Sequence, residues 1–193
     1  MYPRDVDPES GCRLPLPKRD ELDATGQRIF DSLSDPKGAT LRGLRGPGGI
    51  LLHSPAGPLN YYLRHEAGLG GRVRELAILT TARELDSQFE WAAHEPAALA
   101  EGISAEIVEI VRNRSGTSGL DEADAIVIEL GREIFGARKV ASATFARSLR
   151  QFGRRALVDL VALLGNYAGT AGLLTAFDMQ LDPGQPPSRP FPR

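Results

Sequence analysis

The chain has 193 residues, 20.8 kDa, with 41% hydrophobic and 25% charged residues and a net charge of -2. That length fits one domain with a substantial core, and the near-balanced charge, with no lysine-rich block, removes the electrostatic footprint of a nucleic-acid binder. The single cysteine, Cys12, excludes an intrachain disulfide, a dithiol redox pair and a CxxC zinc motif.

Residues 1–17 carry Pro3, Pro8, Pro15 and Pro17 and read as an N-terminal tail able to drape over a neighbouring subunit. The opening residues lack the cationic start and apolar core of a secretory signal, and no uninterrupted apolar run approaches the ~20 residues that span a bilayer. A cytoplasmic protein without a membrane partner is expected. Residues 18–180 read as a single helical domain, because apolar residues recur at spacings of three and four and no alternating run is bounded by turn signals. The fold class is therefore all-α.

A first helix is expected from Lys18 to Leu33, with Leu22, Ile29, Phe30 and Leu33 inward, ending before Asp35-Pro36-Lys37-Gly38. The glycine-rich stretch Arg42 to Gly49 lacks the Gly-Lys-Ser/Thr ending of a phosphate loop and reads as a connector. Short helices follow at Ile50 to His53 and Pro58 to Ala67. Arg72 to Glu84 and Ser87 to Glu101 form an antiparallel pair turned at Asp86. Gly102 ends that pair, Ser104 caps a helix to Asn113, Gly116 to Gly119 break it, and Asp121 opens a helix to about Phe135. The last helices run from Ser142 to Phe152 and from about Arg155 to Met179. The latter is apolar around most of its circumference, so it is buried on several faces within the fold or between subunits. A homo-oligomer is expected, and residues 181–193, with five prolines, form a C-terminal tail.

Glu75 lies within Val73-Arg74-Glu75-Leu76-Ala77-Ile78-Leu79, a stretch otherwise suited to burial. Glu90 and His94 are one helical turn apart and share a face. In a hairpin all three can converge, and a carboxylate beside an imidazole fixes its tautomer and tunes it for acid–base work. Spacing by itself does not support an active site and fits two plainer arrangements better: a surface Glu–His pair, and a Glu75 neutralised by Arg72, Arg74, Arg83 or another arginine.

The run Arg72-Val-Arg-Glu-Leu-Ala-Ile-Leu-Thr-Thr-Ala-Arg83, followed by Gln88-Phe-Glu-Trp-Ala-Ala-His94-Glu-Pro-Ala-Ala and then Gly102, resembles the core signature of the carboxymuconolactone decarboxylase and alkylhydroperoxidase-D superfamily. The likeness is strong over about residues 40 to 115 and weaker to 178. It implies an alkylhydroperoxidase-D-like helical bundle assembled as a trimer or hexamer. The peroxidase members carry a glutamate, two cysteines and a histidine at a spacing that places Glu75 and His94 at the outer positions. Ser87 and Glu90 stand where the cysteines would be. Serine cannot cycle through sulfenate and disulfide, which argues against disulfide-based peroxide reduction, and the chain resembles a thiol-free branch.

The decarboxylase side of the family implies a cofactor-free mechanism on a small carboxylated lactone or related oxo acid, whose own carbonyl takes up the electrons released with carbon dioxide. In that scheme His94 donates the proton or holds the oxyanion, while Glu75 and Glu90 orient it or relay protons. An arginine grips the carboxylate, with Arg72, Arg74 and Arg83 as candidates. Trp91 is a candidate pocket wall, although a tryptophan beside a helix hairpin is more often core packing. His53 can line the pocket or simply end a helix, and His65 sits in a polar stretch. Glu90 and His94 supply only two metal ligands, so neither metal nor cofactor is expected. A peroxidase-like protein and a non-catalytic oligomeric binding protein on the same fold are the competing readings.

Overall fold

The computed structural model describes residues 2, 4, 6–35, 43–53 and 57–182. The expected turn at 36–38 and most of the C-terminal tail lie outside the described residues. Within them all regular structure is helical: α1 (Ala24–Ser34), α2 (Pro47–Leu52), α3 (Gly57–His65), α4 (Gly71–Glu84), α5 (Gln88–Ala100), α6 (Ala105–Arg112), α7 (Glu122–Arg132) and α8 (Ser142–Ala176). A 3-10 turn at Arg19–Glu21 precedes α1, and a π-helical turn at Glu133–Ala137 extends α7.

Helix α4 is the central column, packed against α5, α7 and α8. Leu76, Ala77, Ile78, Leu79 and Ala82 are fully buried on it, so no side of this helix meets solvent over its middle turns. Its two threonines fit because their hydroxyls donate back to the carbonyls of Leu76 (2.8 Å) and Ala77 (2.9 Å). Val127, Ile128 and Leu130 of α7 and Leu157, Leu160, Leu163, Leu164 and Tyr167 of α8 complete the core. The approach of α7 needs a glycine: a Cβ on Gly131 would lie 2.6 Å from the Thr80 methyl.

Local chemistry moves several element ends. The expected first helix does not start at Lys18, because the Asp23 carboxylate accepts from the Gly26 amide at 2.7 Å and starts α1 there. Part of the expected connector is helical, since Pro47 opens α2 with its φ already set and no amide to satisfy. Ser104 caps α6 through the Ile107 amide. The α4–α5 turn puts Asp86 at φ 53°, a left-handed conformation that aspartate tolerates better than most residues. Gly153, at φ 71°, breaks α8 where two helices were expected.

Counting uninterrupted apolar runs underrates α8, which by length and composition is long and apolar enough to cross a bilayer; 50% of its most apolar window is buried inside the fold. Its partners there include α3, α4 and α7. The N-terminal segment lies against its own chain. The Arg13 amide donates to the Phe177 carbonyl (2.9 Å), the Gln180 amide to the Gly11 carbonyl (3.0 Å), and Cys12 packs into a small cluster with Ile50, Phe89 and Leu174.

Candidate active site

The α4–α5 hairpin brings Glu75 and His94 together. Nδ1 of His94 is 2.7 Å from Oε2 of Glu75, and both side chains are almost entirely buried. A carboxylate only accepts, so Nδ1 carries the proton and Nε2 is the basic atom of the neutral ring. The other carboxylate oxygen of Glu75 accepts from Nε of Arg74 at 3.1 Å. Arg74 is itself anchored by the Arg64 carbonyl (3.2 Å) and by Glu101 (3.6 Å). Both oxygens of Glu75 are thus committed, which fixes the imidazole it holds.

These contacts set the charges. Burial pushes the Glu75 carboxyl up, but the bond and charge of His94, with Arg64 and Arg74, outweigh it and leave the group below the usual carboxylate range. Burial pushes His94 down, Glu75 pulls it part of the way back, and the two arginines add to the lowering. The pair at neutral pH is an ionised Glu75 and a neutral His94. Tyr167 of α8 meets the imidazole edge-on, with centroids 5.3 Å apart and planes at 86°.

Glu90, one turn before His94, is 1% exposed, and neither of its carboxylate oxygens has a hydrogen-bond partner among the described residues. Burial raises its pKa to about 8, with nearby Ser87 offsetting a small part. At neutral pH it is a carboxylic acid and a donor. Two carboxyl groups on one hairpin are therefore held in opposite protonation states, the arrangement by which acid and base roles are separated.

Glu90 and His94 line a half-open cavity of about 70 Å³. Facing them, α3 contributes Asn60, Tyr61, Arg64 and His65, and the remaining wall comes from α1, α2, Gly43, Arg45 and, on α5 itself, Phe89 and Ala93. Glu75 and Arg74 stand behind the imidazole.

Four residues expected at the site lie away from it. Arg72 is held by Asp124 of α7 (3.2 and 2.6 Å) and by the Gly102 carbonyl. Arg83, near the far end of α4, donates to the Arg112 carbonyl and to Asp86, both at 2.6 Å. Trp91 sits one residue, and so roughly 100° of helix, from Glu90. It is wholly buried, with Nε1 donating to Glu95 at 2.8 Å and the Arg112 guanidinium 4.6 Å from its ring centroid. His53 is exposed at the end of α2, with Nε2 3.0 Å from the Pro15 carbonyl.

Conversely, Arg64 and Tyr167 escaped the sequence reading, and His65, read there only as part of a polar stretch, lines the cavity. Asn60, Tyr61, Arg64 and His65 fall on one face of α3 at helical spacing, and that unusually polar stripe was the available signal. Among the described residues no group of three or more His, Cys, Asp or Glu is placed to hold a metal ion. Scans against protein-family models, curated proteins and solved structures find no match for this chain.

Proposed function

We propose that the chain is a cofactor-independent acid–base enzyme of the carboxymuconolactone decarboxylase type, acting on a small carboxylated lactone or a related oxo acid. The observation that carries this reading is the 2.7 Å His94–Glu75 bond behind a cavity whose second wall group, Glu90, is a buried carboxyl without a partner. An acid kept protonated by burial can supply the proton that carbon takes up after carbon dioxide leaves, and a base fixed by a carboxylate can hand that acid its replacement.

In the proposed reaction the C–C bond to the departing carboxylate breaks. Its electron pair passes into the conjugated lactone carbonyl, carbon dioxide leaves, and a dienolate remains. Glu90, as a carboxylic acid, hydrogen-bonds the developing oxyanion or delivers the proton to carbon, and is reprotonated from solvent. His94, neutral and backed by Glu75, takes up at Nε2 the solvent proton that replaces the one Glu90 has given to carbon and passes it on to the Glu90 carboxylate; Glu75 stabilises the transient imidazolium. These roles move the acid from His94, where the resemblance alone placed it, to Glu90. The resemblance also supports a homo-oligomer, and α8 offers a face for one: Val158 and Val161 are 67% and 41% exposed.

The test is turnover of unsaturated γ-carboxylated lactones, followed by carbon dioxide release, in the wild type and in His94→Gln and Glu90→Gln. Each variant is expected to lose on the order of 100-fold or more in kcat. A His94→Gln protein with full activity on a turned-over lactone removes the mechanism.

A further inference from the structure

We infer that Arg64 is the residue that binds the carboxylate of the ligand, so that this cavity selects small organic anions over their neutral analogues. The inference deepens the acid–base reading above and rests on it for the identity of the ligand.

The argument starts from availability. Three arginines stand at or just behind the cavity. Arg45 is paired with Asp182 (3.0 Å) and donates to the Tyr2 hydroxyl (2.7 Å), and Arg74 is committed to Glu75 and Glu101. Arg64 has no ion pair among the described residues, and its Nε is shut off from solvent with no hydrogen-bond partner. Leaving that donor unbonded costs free energy, and a guanidinium on the cavity wall whose charge acts on Glu75 without a direct ion pair keeps the capacity to take an acceptor placed in the cavity.

The second observation comes from the opposite wall. Both oxygens of Glu90 are equally orphaned, yet Glu90 and Arg64 do not bond each other across the space they share. A ligand that satisfies both must present an acceptor to each. A carboxylate fits the planar fork of Arg64, and a carbonyl oxygen fits a protonated Glu90. Carboxylated lactones and oxo acids carry that pair of groups. Size sets a further limit, because about 70 Å³ is under half of the roughly 150 Å³ that admits a benzene ring. The ligand is therefore small or extends through the open side.

Binding can be measured without turnover. The probe is 5-oxotetrahydrofuran-2-carboxylate, a saturated lactone acid without the conjugated sink needed for decarboxylation, compared with its carboxamide by titration calorimetry. The wild type is expected to bind the acid at least tenfold more tightly than the amide. Arg64→Gln should lose that discrimination and Arg64→Lys should keep part of it, with circular dichroism checking that both fold. A wild type that does not prefer the acid, or an Arg64→Gln protein that still does, overturns the inference. His94→Gln separates the two proposals. If it loses turnover while an Arg64→Gln protein keeps its preference for the acid, the anchor fails and the mechanism survives; a preference governed by Arg64 in a wild type that turns over no lactone has the opposite meaning.

Discussion

Replacing Glu90 by glutamine tests whether this buried carboxyl is neutral in the folded protein. Its pKa moves from 4.5 to about 8 on folding, and each unit is worth ~1.4 kcal/mol. Below about pH 4.5 both folded and unfolded chains hold the proton and nothing differs. Between about pH 4.5 and 8 the unfolded chain releases a proton that the folded chain keeps, so stability falls as pH rises and stops falling above the folded pKa. The full loss is on the order of 5 kcal/mol, with about 3 kcal/mol already gone at pH 7; water entering the cavity lowers both figures. Glutamine has nearly the same shape and does not titrate. Urea denaturation from about pH 5 to about pH 8 should therefore show the variant gaining on the wild type by several kcal/mol across that window. His94 and Glu75 contribute to both proteins, so their titrations largely cancel in the difference. A stability difference constant to within about 0.5 kcal/mol over the window would show that Glu90 ionises as an ordinary carboxyl, and the acid assigned to the site would be lost.

Nitrogen-resolved NMR should find His94 protonated at Nδ1 only and resistant to protonation until well below the usual 6.5, with Glu75→Gln lowering it further because Glu75 is the group that raises it. Since the folded imidazole binds its proton less tightly than the unfolded one, this group's contribution is present above about pH 6.5 and is lost on acidification through the folded value. Arg74→Met removes a cation that depresses His94, so the acidic limb of the kcat/KM profile should shift to higher pH. An unshifted limb would mean that Arg74 does not act on the base. Gly131→Ala drives a Cβ to 2.6 Å from the Thr80 methyl and should cost roughly 1–3 kcal/mol in thermal or urea unfolding. Adding Thr80→Ser removes that methyl and should restore most of the loss; failure to do so would place the strain elsewhere.

The hairpin was legible because its signals are local. Apolar spacing marked α4, the run beginning at Ser87 marked α5, and the one-turn separation of Glu90 and His94 put them on a common face. The partner chosen by each arginine was not legible. Arg72 and Arg74 are neighbours in sequence yet diverge, one to Asp124 on α7 and the other to Glu75 and Glu101, because adjacent positions on a helix point about 100° apart and tertiary packing decides what each meets. The same step separates Trp91 from Glu90 and sends the tryptophan to Glu95 and Arg112 instead of the cavity. Arg64 was passed over because α3 lies outside the hairpin, and Tyr167 because a tyrosine among the leucines and alanines of the C-terminal half of α8 resembles ordinary core.

Helix α1 contributes no buried residue, and its packing partners include α2 and α3, whereas α4 is enclosed by the rest of the molecule. The cavity is thus framed by parts of very unequal local stability. Amide exchange should be slowest in α4, requiring near-global opening, and fastest along α1. The reacting groups belong to the slow frame, and part of the surrounding wall to the fast one. Substitutions at Ile29, Ser32 or Leu33, which line the cavity from α1, can therefore reshape what the site admits at little expense to folding, while changes beneath Glu75 draw on the stability of the whole chain. That division gives the molecule separate places in which to diversify its ligand and to preserve its chemistry.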